Sequence, residues 1–431
     1  MRLLIIGAGP GGYETAVEAV KRGMEVTLIT EGPLGGTCLN EGCIPTKTFC
    51  HYAEIIEQNI KAGLECKPAF SAAAMRKQAV VEQLRGGIDM LLKNVNVING
   101  KAQFKDSKAV VCNGQEFTAD KIIIATGSVS ASLPIPGAES CITSKEILDM
   151  TEVPESLCVI GGGVIGLEFA SIFRSFGSEV TVLEFCPNIL PRFDSDLAKR
   201  LKQSLSKRGI NIEVQAQVTR IDGGTVTYIK KEKEFTVQAD KILMAVGRRP
   251  NTEGLNLETA GIDYTRKGIT VNERFETSVP GIYAVGDVTG GIMLAHAATY
   301  QGLRALNSIC GLTDNIRFDL IPAAVFTMPE VATVGLTEEQ CKEQELEVRC
   351  LKSFYRANGK AVSMDETDGY CKIIVGADSQ ILGAHIMGVH ASDLIHETAT
   401  AMNLGATLDQ LQSVIHAHPT LSEIVQSALH N

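Results

Sequence analysis

The chain has 431 residues, of which 45% are hydrophobic and 21% charged, and this composition is typical of a folded globular protein with two or three domains. A net charge of −10, with no tryptophan and only 5% aromatic residues, argues against nucleic acid or an anionic membrane surface as a partner. The short apolar start meets glycine at once and no apolar run approaches the ~20 residues that span a bilayer, so we expect a cytoplasmic protein.

The chain begins with the pattern of a strand, a glycine turn and a helix. Residues 3–6 are apolar, Gly7, Gly9 and Gly12 follow in GxGxxG register, and the helical run YETAVEAVKRG comes next. This order is typical of a dinucleotide site, because the glycines allow a tight turn and the helix N-terminus binds a pyrophosphate. A second strand is predicted at 26–29. The position expected to contact a ribose is Thr30, with Glu31 next to it, and the sequence leaves open which of the two does so.

The next segment, LGGTCLNEGCIPTK at 34–47, contains two cysteines separated by four residues. We expect Cys38 in a turn and Cys43 near the start of a helix that begins near Pro45, a placement that allows a disulfide and lowers a cysteine pKa. The pair is therefore predicted to be redox-active. Two alternatives are a zinc site with Cys50 and His51, which the spacing disfavours, and two inert buried thiols.

A second glycine motif indicates an internal duplication. An apolar strand at 157–160 leads into Gly161, Gly163 and Gly166, a helical run, and a further strand at 180–183. Each half also contains a later matching segment, DKIIIATG at 120–127 and DKILMAVG at 240–247. The sequence thus predicts two dinucleotide-binding halves. The first half is the longer, and its extra length contains the cysteine pair, which suggests a cofactor that exchanges electrons with sulfur, such as a flavin.

The second half indicates which nicotinamide nucleotide binds. Glu184 lies 23 residues after Gly161, where a carboxylate accepts hydrogen bonds from a ribose 2′-hydroxyl and repels a 2′-phosphate. NAD is therefore predicted over NADP. The alternative is an ordinary exposed glutamate at a strand end.

The last third of the chain contains two further features. Asp287 ends the short strand GIYAVGD and is predicted to contact a nucleotide hydroxyl, the alternative being a cap for the following helix. From about residue 317 the pattern predicts an antiparallel sheet with helices, suited to an interface. Near the end, HAHPTLSE places His418 and Glu423 as an acid/base pair, although a capping box from Thr420 to Glu423 explains the glutamate equally well.

Taken together, the pieces GAGPGG, GGTCLNEGCIPTK, IIIATGS, GGGVIGLEFAS, GRRPN, YAVGD, ETDGYCKII and HAHPTLSE resemble the pyridine nucleotide-disulfide oxidoreductases over nearly the whole chain. The resemblance implies an enzyme that oxidises dihydrolipoamide and passes hydride through FAD to NAD. It implies a homodimer whose partner is a lipoyl domain or acyltransferase core of a 2-oxo acid dehydrogenase complex, or the lipoyl protein of glycine cleavage. The runner-up is an NADPH enzyme similar to glutathione reductase, and a rival class is an interaction subunit with a vestigial redox site.

The resemblance also implies roles for individual residues. Cys38 would exchange with the substrate and Cys43 would contact the flavin, while the partner subunit's His418 and Glu423 would handle the proton. Lys47 would pair with Glu168 beside the flavin. The implied cofactor ligands are Gly7, Gly9, Gly12, Glu31, Lys47, Thr126, Gly127 and Asp287 for FAD, and Gly161, Gly163, Gly166, Glu184 and Gly247 for NAD; no metal is implied.

The expected fold is therefore α/β, with two Rossmann-like domains for FAD and NAD and a C-terminal α+β dimerisation domain. The expected division is an FAD-binding domain at 1–148, an NAD-binding domain at 149–276, a return segment of the FAD-binding domain at 277–316 and an interface domain at 317–431.

Overall fold

The computed structural model describes residues 1–65 and 69–431, and within those ranges no helix is long and apolar enough to cross a membrane. The helices in chain order are α1 Pro10–Lys21, α2 Gly36–Asn40, α3 Cys43–Lys61, α4 Phe70–Leu91, α5 Ser144–Leu148, α6 Val164–Ser175, α7 Ser195–Lys207, α8 Leu257–Ala260, α9 Ala295–Ile309, α10 Glu338–Glu343, α11 Gly359–Ser363, α12 Ala391–Asn403, α13 Leu408–Gln412 and α14 Glu423–Leu429.

The strands in chain order are β1 Arg2–Ile6, β2 Glu25–Thr30, β3 Asn96–Asn99, β4 Gln103–Phe104, β5 Ala109–Cys112, β6 Gln115–Thr118, β7 Lys121–Ile124, β8 Ser128–Ser130, β9 Ser156–Ile160, β10 Glu179–Glu184, β11 Ile210–Val214, β12 Gln217–Asp222, β13 Thr225–Lys230, β14 Lys233–Gln238, β15 Lys241–Met244, β16 Arg248–Pro250, β17 Tyr264–Thr265, β18 Gly268–Ile269, β19 Ile282–Ala284, β20 Ala323–Val325, β21 Val331–Gly335, β22 Val348–Phe354, β23 Tyr370–Gly376 and β24 Ile381–Met387.

The two glycine motifs each follow the first strand of a parallel sheet. The first sheet has the order β19-β7-β1-β2-β3 and the second the order β11-β10-β9-β15. Their inner strands, such as β1 and β9, are continuous apolar runs because helices or further strands cover both faces of each sheet. The predicted duplication is confirmed, since β1-α1-β2 and β9-α6-β10 repeat the same unit in the same parallel register.

Strand β19 follows the second half in the chain and yet pairs with β7 of the first sheet. This pairing is consistent with the predicted return segment at 277–316, although the proposed domain boundaries themselves stay a prediction. The extra length of the first half forms α2, α3 and α4. Helix α3 packs on α6, which brings the helix that follows the cysteines against the second half.

The sequence analysis did not predict two small antiparallel sheets, β4-β5-β6 and β12-β13-β14. The C-terminal region is the predicted antiparallel sheet, in the order β20-β21-β24-β23-β22. Helices α12 and α14, both predicted from the sequence, bury Ile395 and Val425 against it in one apolar cluster.

Candidate active site

The two cysteines lie at the junction of α2 and α3. Cys38 lies inside the five-residue helix α2, so the prediction that it sits in a turn is wrong. The turn comes earlier, because Gly35 and Gly36 have φ values of 89° and 58°, and a Cβ on Gly36 would lie 2.6 Å from the Cα of Gly9. This close approach seats the cysteine segment directly on the first glycine motif. Cys43 is the first residue of α3, which therefore starts two residues before the predicted Pro45.

The surroundings of the two thiols shift their pKa values in opposite directions. A hydrogen bond from Cys38 and the ammonium of Lys47 lower the pKa of Cys43 to about 7, against the opposing effects of burial and Glu168. The same hydrogen bond raises the pKa of Cys38, because its proton is held between the two sulfurs. The structure shows the pair as two thiols. In this reduced form Cys43 is the more acidic sulfur and Cys38 is the hydrogen-bond donor.

Lys47 and Glu168 form the ion pair that the resemblance implied. The Lys47 ammonium, one turn after Cys43 on α3, lies 2.8 Å from both carboxylate oxygens of Glu168 on α6. Burial lowers the pKa of Lys47, but Glu168 outweighs it, so the net shift is upward. Phe326, which the sequence analysis missed, donates its backbone N–H to Glu168 at 3.0 Å and places its ring 4.4 Å from the ammonium. Lys47 is therefore charged beside the thiolate.

Both glycine motifs have the same steric construction. A Cβ on Gly12 would lie 1.9 Å from the carbonyl oxygen of Gly7, and one on Gly166 would lie 2.0 Å from that of Gly161. The middle glycines, Gly9 and Gly163, differ because a Cβ there would have nothing within 4 Å. Each motif thus packs its outer glycines against backbone and opens its middle glycine toward a ligand.

One cleft of about 3000 Å³ joins these features. Ligand pockets usually measure about 300–1,000 Å³, so this cleft has room for two extended cofactors. Cys38, Cys43 and Lys47 line this cleft together with glycines of both motifs. Other predicted ligands line the same cleft, namely Glu31, Thr126, Gly127, Glu184, Gly247 and Asp287.

Asp287 belongs to a polar chain that the sequence did not reveal. The Ser128 hydroxyl donates to Asp287 at 2.5 Å, and the guanidinium of Arg248 donates to the same hydroxyl at 2.7 Å and to the Ser128 carbonyl. The alternative that Asp287 caps the following helix is wrong, since Leu294 is the N-cap of α9. Ser128 and Arg248 follow Gly127 and Gly247 directly, so their place after the two repeated motifs was the available signal.

The polar residues at the ends of β2 and β10 differ in their exposure and in the hydrogen bonds they make. Thr30 is buried and its hydroxyl donates to the carbonyl of Gly32, whereas Glu31 is exposed and lines the cleft. This arrangement favours Glu31 for the first ribose. The carboxylate of Glu184 accepts the N–H groups of Gly162 at 2.5 Å and Cys186 at 2.6 Å. Glu184 is only 7% exposed, so the alternative of an ordinary exposed glutamate is wrong.

His418 and Glu423 are in contact but lie away from the cleft. Nδ1 of His418 is 2.9 Å from the carboxylate of Glu423, and the His418 side chain is 78% exposed. The hydrogen bond from the N–H of Thr420 and, to a smaller extent, the contact with His418 hold the pKa of Glu423 below its usual value. Only half of the predicted capping box forms: Glu423 accepts the N–H of Thr420 at 2.9 Å, but the Thr420 hydroxyl donates to the carbonyl of Ala417, and α14 begins at Glu423 itself.

Nearly the whole chain matches one known protein family. The family model "Pyridine nucleotide-disulphide oxidoreductase" matches residues 1–302, and the model of that family's dimerisation domain matches residues 321–429. The chain belongs to this family. Similar relatives include the dihydrolipoyl dehydrogenases of Geobacillus stearothermophilus, 40% identical over 99% of this chain and 94% of the relative, and of Bacillus subtilis strain 168, 39% identical over 100% and 98%.

Solved structures also resemble the chain over its whole length. The HOCl-induced flavoprotein disulfide reductase RclA from Escherichia coli is 33% identical, with a TM-score of 0.90 over 100% of this chain and 99% of that one. LpdA from Mycobacterium tuberculosis is 28% identical, with a TM-score of 0.91 over 100% and 99%.

As a pyridine nucleotide-disulphide oxidoreductase, the protein is a homodimeric flavoenzyme that uses FAD and NAD. The residues present fit both cofactors, because each half has a glycine turn with an open middle glycine facing the shared cleft. Among the described residues, no cluster of three or more His, Cys, Asp or Glu side chains is placed to hold a metal ion. Cys50, named in the zinc alternative, instead donates its thiol to the carbonyl of Phe326.

Proposed function

We propose that this enzyme is a dihydrolipoyl dehydrogenase that oxidises protein-bound dihydrolipoamide to lipoamide and passes hydride through FAD to NAD. The observation that supports this proposal most strongly is the position of Cys43. Its thiol, with a pKa lowered to about 7, lies at the start of α3, beside the Lys47 ammonium, in a cleft that the two glycine motifs share. The full-length similarity to the dihydrolipoyl dehydrogenases of Geobacillus stearothermophilus and Bacillus subtilis supports the substrate assignment.

The chemistry of the cysteines begins from the oxidised pair. A substrate thiol is mostly protonated at neutral pH, so a base must remove its proton before it can attack a disulfide. His418 is suited to this role, because Glu423 holds its Nδ1 and leaves Nε2 free to take the proton. We assign this role to the partner subunit's His418, since the side chain is exposed and is absent from the walls of its own cleft.

The substrate thiolate then attacks Sγ of Cys38, the disulfide breaks, and Cys43 leaves as a thiolate. The second substrate sulfur then attacks the first, so the cyclic disulfide of lipoamide forms and the bond to Cys38 breaks; the proton lost by the second substrate thiol passes to the departing Cys38 sulfur, which becomes a thiol. The low pKa of Cys43 makes it the better leaving group of the two. Bound FAD supplies the remaining chemistry, since a flavin accepts an electron pair from a thiolate and delivers it as hydride to NAD.

The proposed cofactor contacts follow from the walls of the cleft. FAD would lie on the first glycine motif, with Glu31 at its ribose and Thr126, Gly127 and Asp287 along its length. NAD would lie on the second motif, with Glu184 at its ribose and Gly247 nearby. The proposed division of labour is FAD on 1–148 and 277–316, NAD on 149–276 and the subunit interface on 317–431.

The proposed partners are a second copy of the chain and a carrier of lipoyl groups. The carrier is the lipoyl domain or acyltransferase core of a 2-oxo acid dehydrogenase complex, or the lipoyl protein of glycine cleavage. The site shared between subunits is what gives the lipoyl arm a thiol on one chain and a base on the other.

The decisive experiment compares substrates and nicotinamides on the purified enzyme. We expect fast turnover of free dihydrolipoamide with NAD, little with NADP, and loss of turnover in Cys38→Ser. Rapid mixing with dihydrolipoamide should also produce the long-wavelength absorbance of a thiolate against flavin. Preferential reduction of another disulfide, such as glutathione disulfide by NADPH, would contradict the proposal and favour a disulfide reductase of the kind that RclA is named for.

A further inference from the structure

The Lys47–Glu168 pair is held by a short segment of the C-terminal region. This segment, residues 326–328 between β20 and β21, contacts both α3 and α6. Its Phe326 donates a backbone N–H to Glu168, and the Phe326 carbonyl accepts the thiol of Cys50 at 3.4 Å. Cys50 lies one helical turn after Lys47 on α3. Both helices that supply the ion pair therefore also contact the segment next to it.

The far end of the segment is fixed by one arginine. Arg208, the residue after α7, donates from Nη1 to the carbonyl of Met328 at 2.9 Å and to the hydroxyl of Ser171 at 3.0 Å. Ser171 also accepts the N–H of Met328 at 3.2 Å. Because Ser171 lies one turn after Glu168 on α6, the segment is hydrogen-bonded to two successive turns of that helix.

The other guanidinium nitrogen of Arg208 reaches α3. Nη2 lies 2.6 Å from the carboxylate of Glu57 and 3.0 Å from the hydroxyl of Ser175. The Arg208 and Glu57 side chains are only 19% and 27% exposed, so the contact is largely shielded from solvent. A planar guanidinium with five donors can make all of these contacts at once, which an ammonium cannot.

We propose that Arg208 is a positioning residue for the Lys47–Glu168 pair, acting through the segment 326–328 that it clamps to α3 and α6. Without Arg208 the carbonyl of Met328 loses its donor and the carboxylate of Glu57 keeps only the Ser175 hydroxyl. The segment is then held on α6 only by the N–H of Phe326 at Glu168 and the N–H of Met328 at Ser171. The Phe326 N–H and ring then hold Glu168 and Lys47 less firmly. The inference rests on the proposed function, because it concerns the charge beside the redox cysteine.

The test uses the reduced holoenzyme and follows, against pH, the long-wavelength absorbance that the Cys43 thiolate gives against the flavin. The charged and titrating groups around Cys43 are Cys38, Lys47, Glu168 and Arg248, and Arg208 is not among them. Any effect of Arg208 on the Cys43 titration is therefore indirect. We expect Arg208→Gln to raise the apparent pKa of Cys43 by about 0.5–1 pH unit, since a looser ammonium stabilises the thiolate less.

Two further variants separate positioning from stability. Arg208→Lys keeps the charge near Glu57 but cannot also bind Met328 and Ser171, so it should show most of the same rise. Arg200→Gln is the matched control, because Arg200 is on α7 but contacts Asp196 and the rings of Phe354 and Tyr370. It should titrate like the wild type. If Arg208→Gln fails to fold, Arg208→Lys and Ser171→Ala make the same test.

Each result is decisive. Wild-type titration of Cys43 in both Arg208 variants overturns the inference, even if their melting temperatures fall, and so does an equal rise in Arg200→Gln. An ordinary thiol titration of Cys43 in the wild-type enzyme contradicts the proposed function instead. The two failures are therefore distinguishable.

Discussion

Replacing Glu184 by alanine should both weaken NAD and admit NADP. The carboxylate is fixed in place by the N–H groups of Gly162 and Cys186, at 2.5 and 2.6 Å, and faces the cleft. A fixed carboxylate binds ribose hydroxyls without first being ordered, and hydrogen bonds to a charged group contribute about 1.5–3 kcal/mol each. We expect a net loss of about 2–3 kcal/mol, which is roughly a 30- to 160-fold fall in kcat/KM for NAD.

The effect on NADP has the opposite sign. A 2′-phosphate at ~4 Å from this carboxylate is repelled by about 4 kcal/mol per unit charge at an effective dielectric constant of ~20, before screening by salt. Removing the carboxylate removes that repulsion. The ratio of kcat/KM for NAD to that for NADP should therefore fall by at least about 100-fold.

The assay is steady-state kinetics with dihydrolipoamide and each nicotinamide at fixed ionic strength. Glu179→Ala is the matched control, because Glu179 begins the same strand, β10, and is exposed at its opposite end. It should leave the ratio unchanged. A ratio in Glu184→Ala that stays within about threefold of the wild-type value would refute the assignment of Glu184 to the ribose.

Other expectations follow from the same structure. In Gly12→Ala the new Cβ would lie 1.9 Å from the Gly7 carbonyl oxygen, so the melting temperature and the flavin content should both fall. In Gly9→Ala the new Cβ meets nothing within 4 Å, so this variant should lose flavin without destabilising the flavin-free chain. An equal fall in melting temperature in both flavin-free variants would contradict this expectation. Cys43, with a pKa of about 7, should be alkylated faster as the pH rises through that value. Burial raises the pKa of Cys50, so Cys50 should react much more slowly. A midpoint of the Cys43 alkylation rate near the ordinary ~8.5 would show that the low pKa assigned to Cys43 is mistaken. Asp194→Asn removes the buried one of the two carboxylates paired with Lys372, whose side chain is 1% exposed, and leaves only the half-exposed Glu338. It should lower the free energy of unfolding in urea by about 3 kcal/mol, whereas Asp196→Asn, at a carboxylate that is 30% exposed, should cost much less. Glu423→Gln should lower kcat for dihydrolipoamide about 10- to 100-fold, because the His418 ring loses the carboxylate that orients it. It should leave NADH oxidation by ferricyanide intact, because a one-electron acceptor at the flavin needs no base for a thiol. Equal losses in both assays would count against a role for the His418–Glu423 pair.

The strand, glycine and helix units could be predicted because each is specified locally. Residues 3–6 and 157–160 are apolar without interruption, and at the outer glycines of each motif any Cβ would clash with the backbone. The small antiparallel sheets were not predicted, because strands such as β6 and β14 are mostly exposed and have no marked apolar alternation.

The site could be predicted only in part. Cys38, Cys43 and Glu184 lie at fixed distances from glycine motifs, so their chemistry can be inferred from the sequence. The start of α2 depends instead on the contact of Gly36 with Gly9, which is tertiary. The contacts of Arg208 and Phe326 join segments more than 100 residues apart, and one sequence carries no record of such pairings.

His418 is 78% exposed on its own chain although Glu423 already orients it. If each chain holds half of two reaction centres, as we propose, specific activity should decline when the enzyme is diluted below its assembly constant. Two disabled variants, Cys38→Ser and His418→Gln, should complement one another on mixing, because a hybrid molecule regains one intact centre. Protein concentration thus becomes a control on catalysis that needs no allosteric ligand.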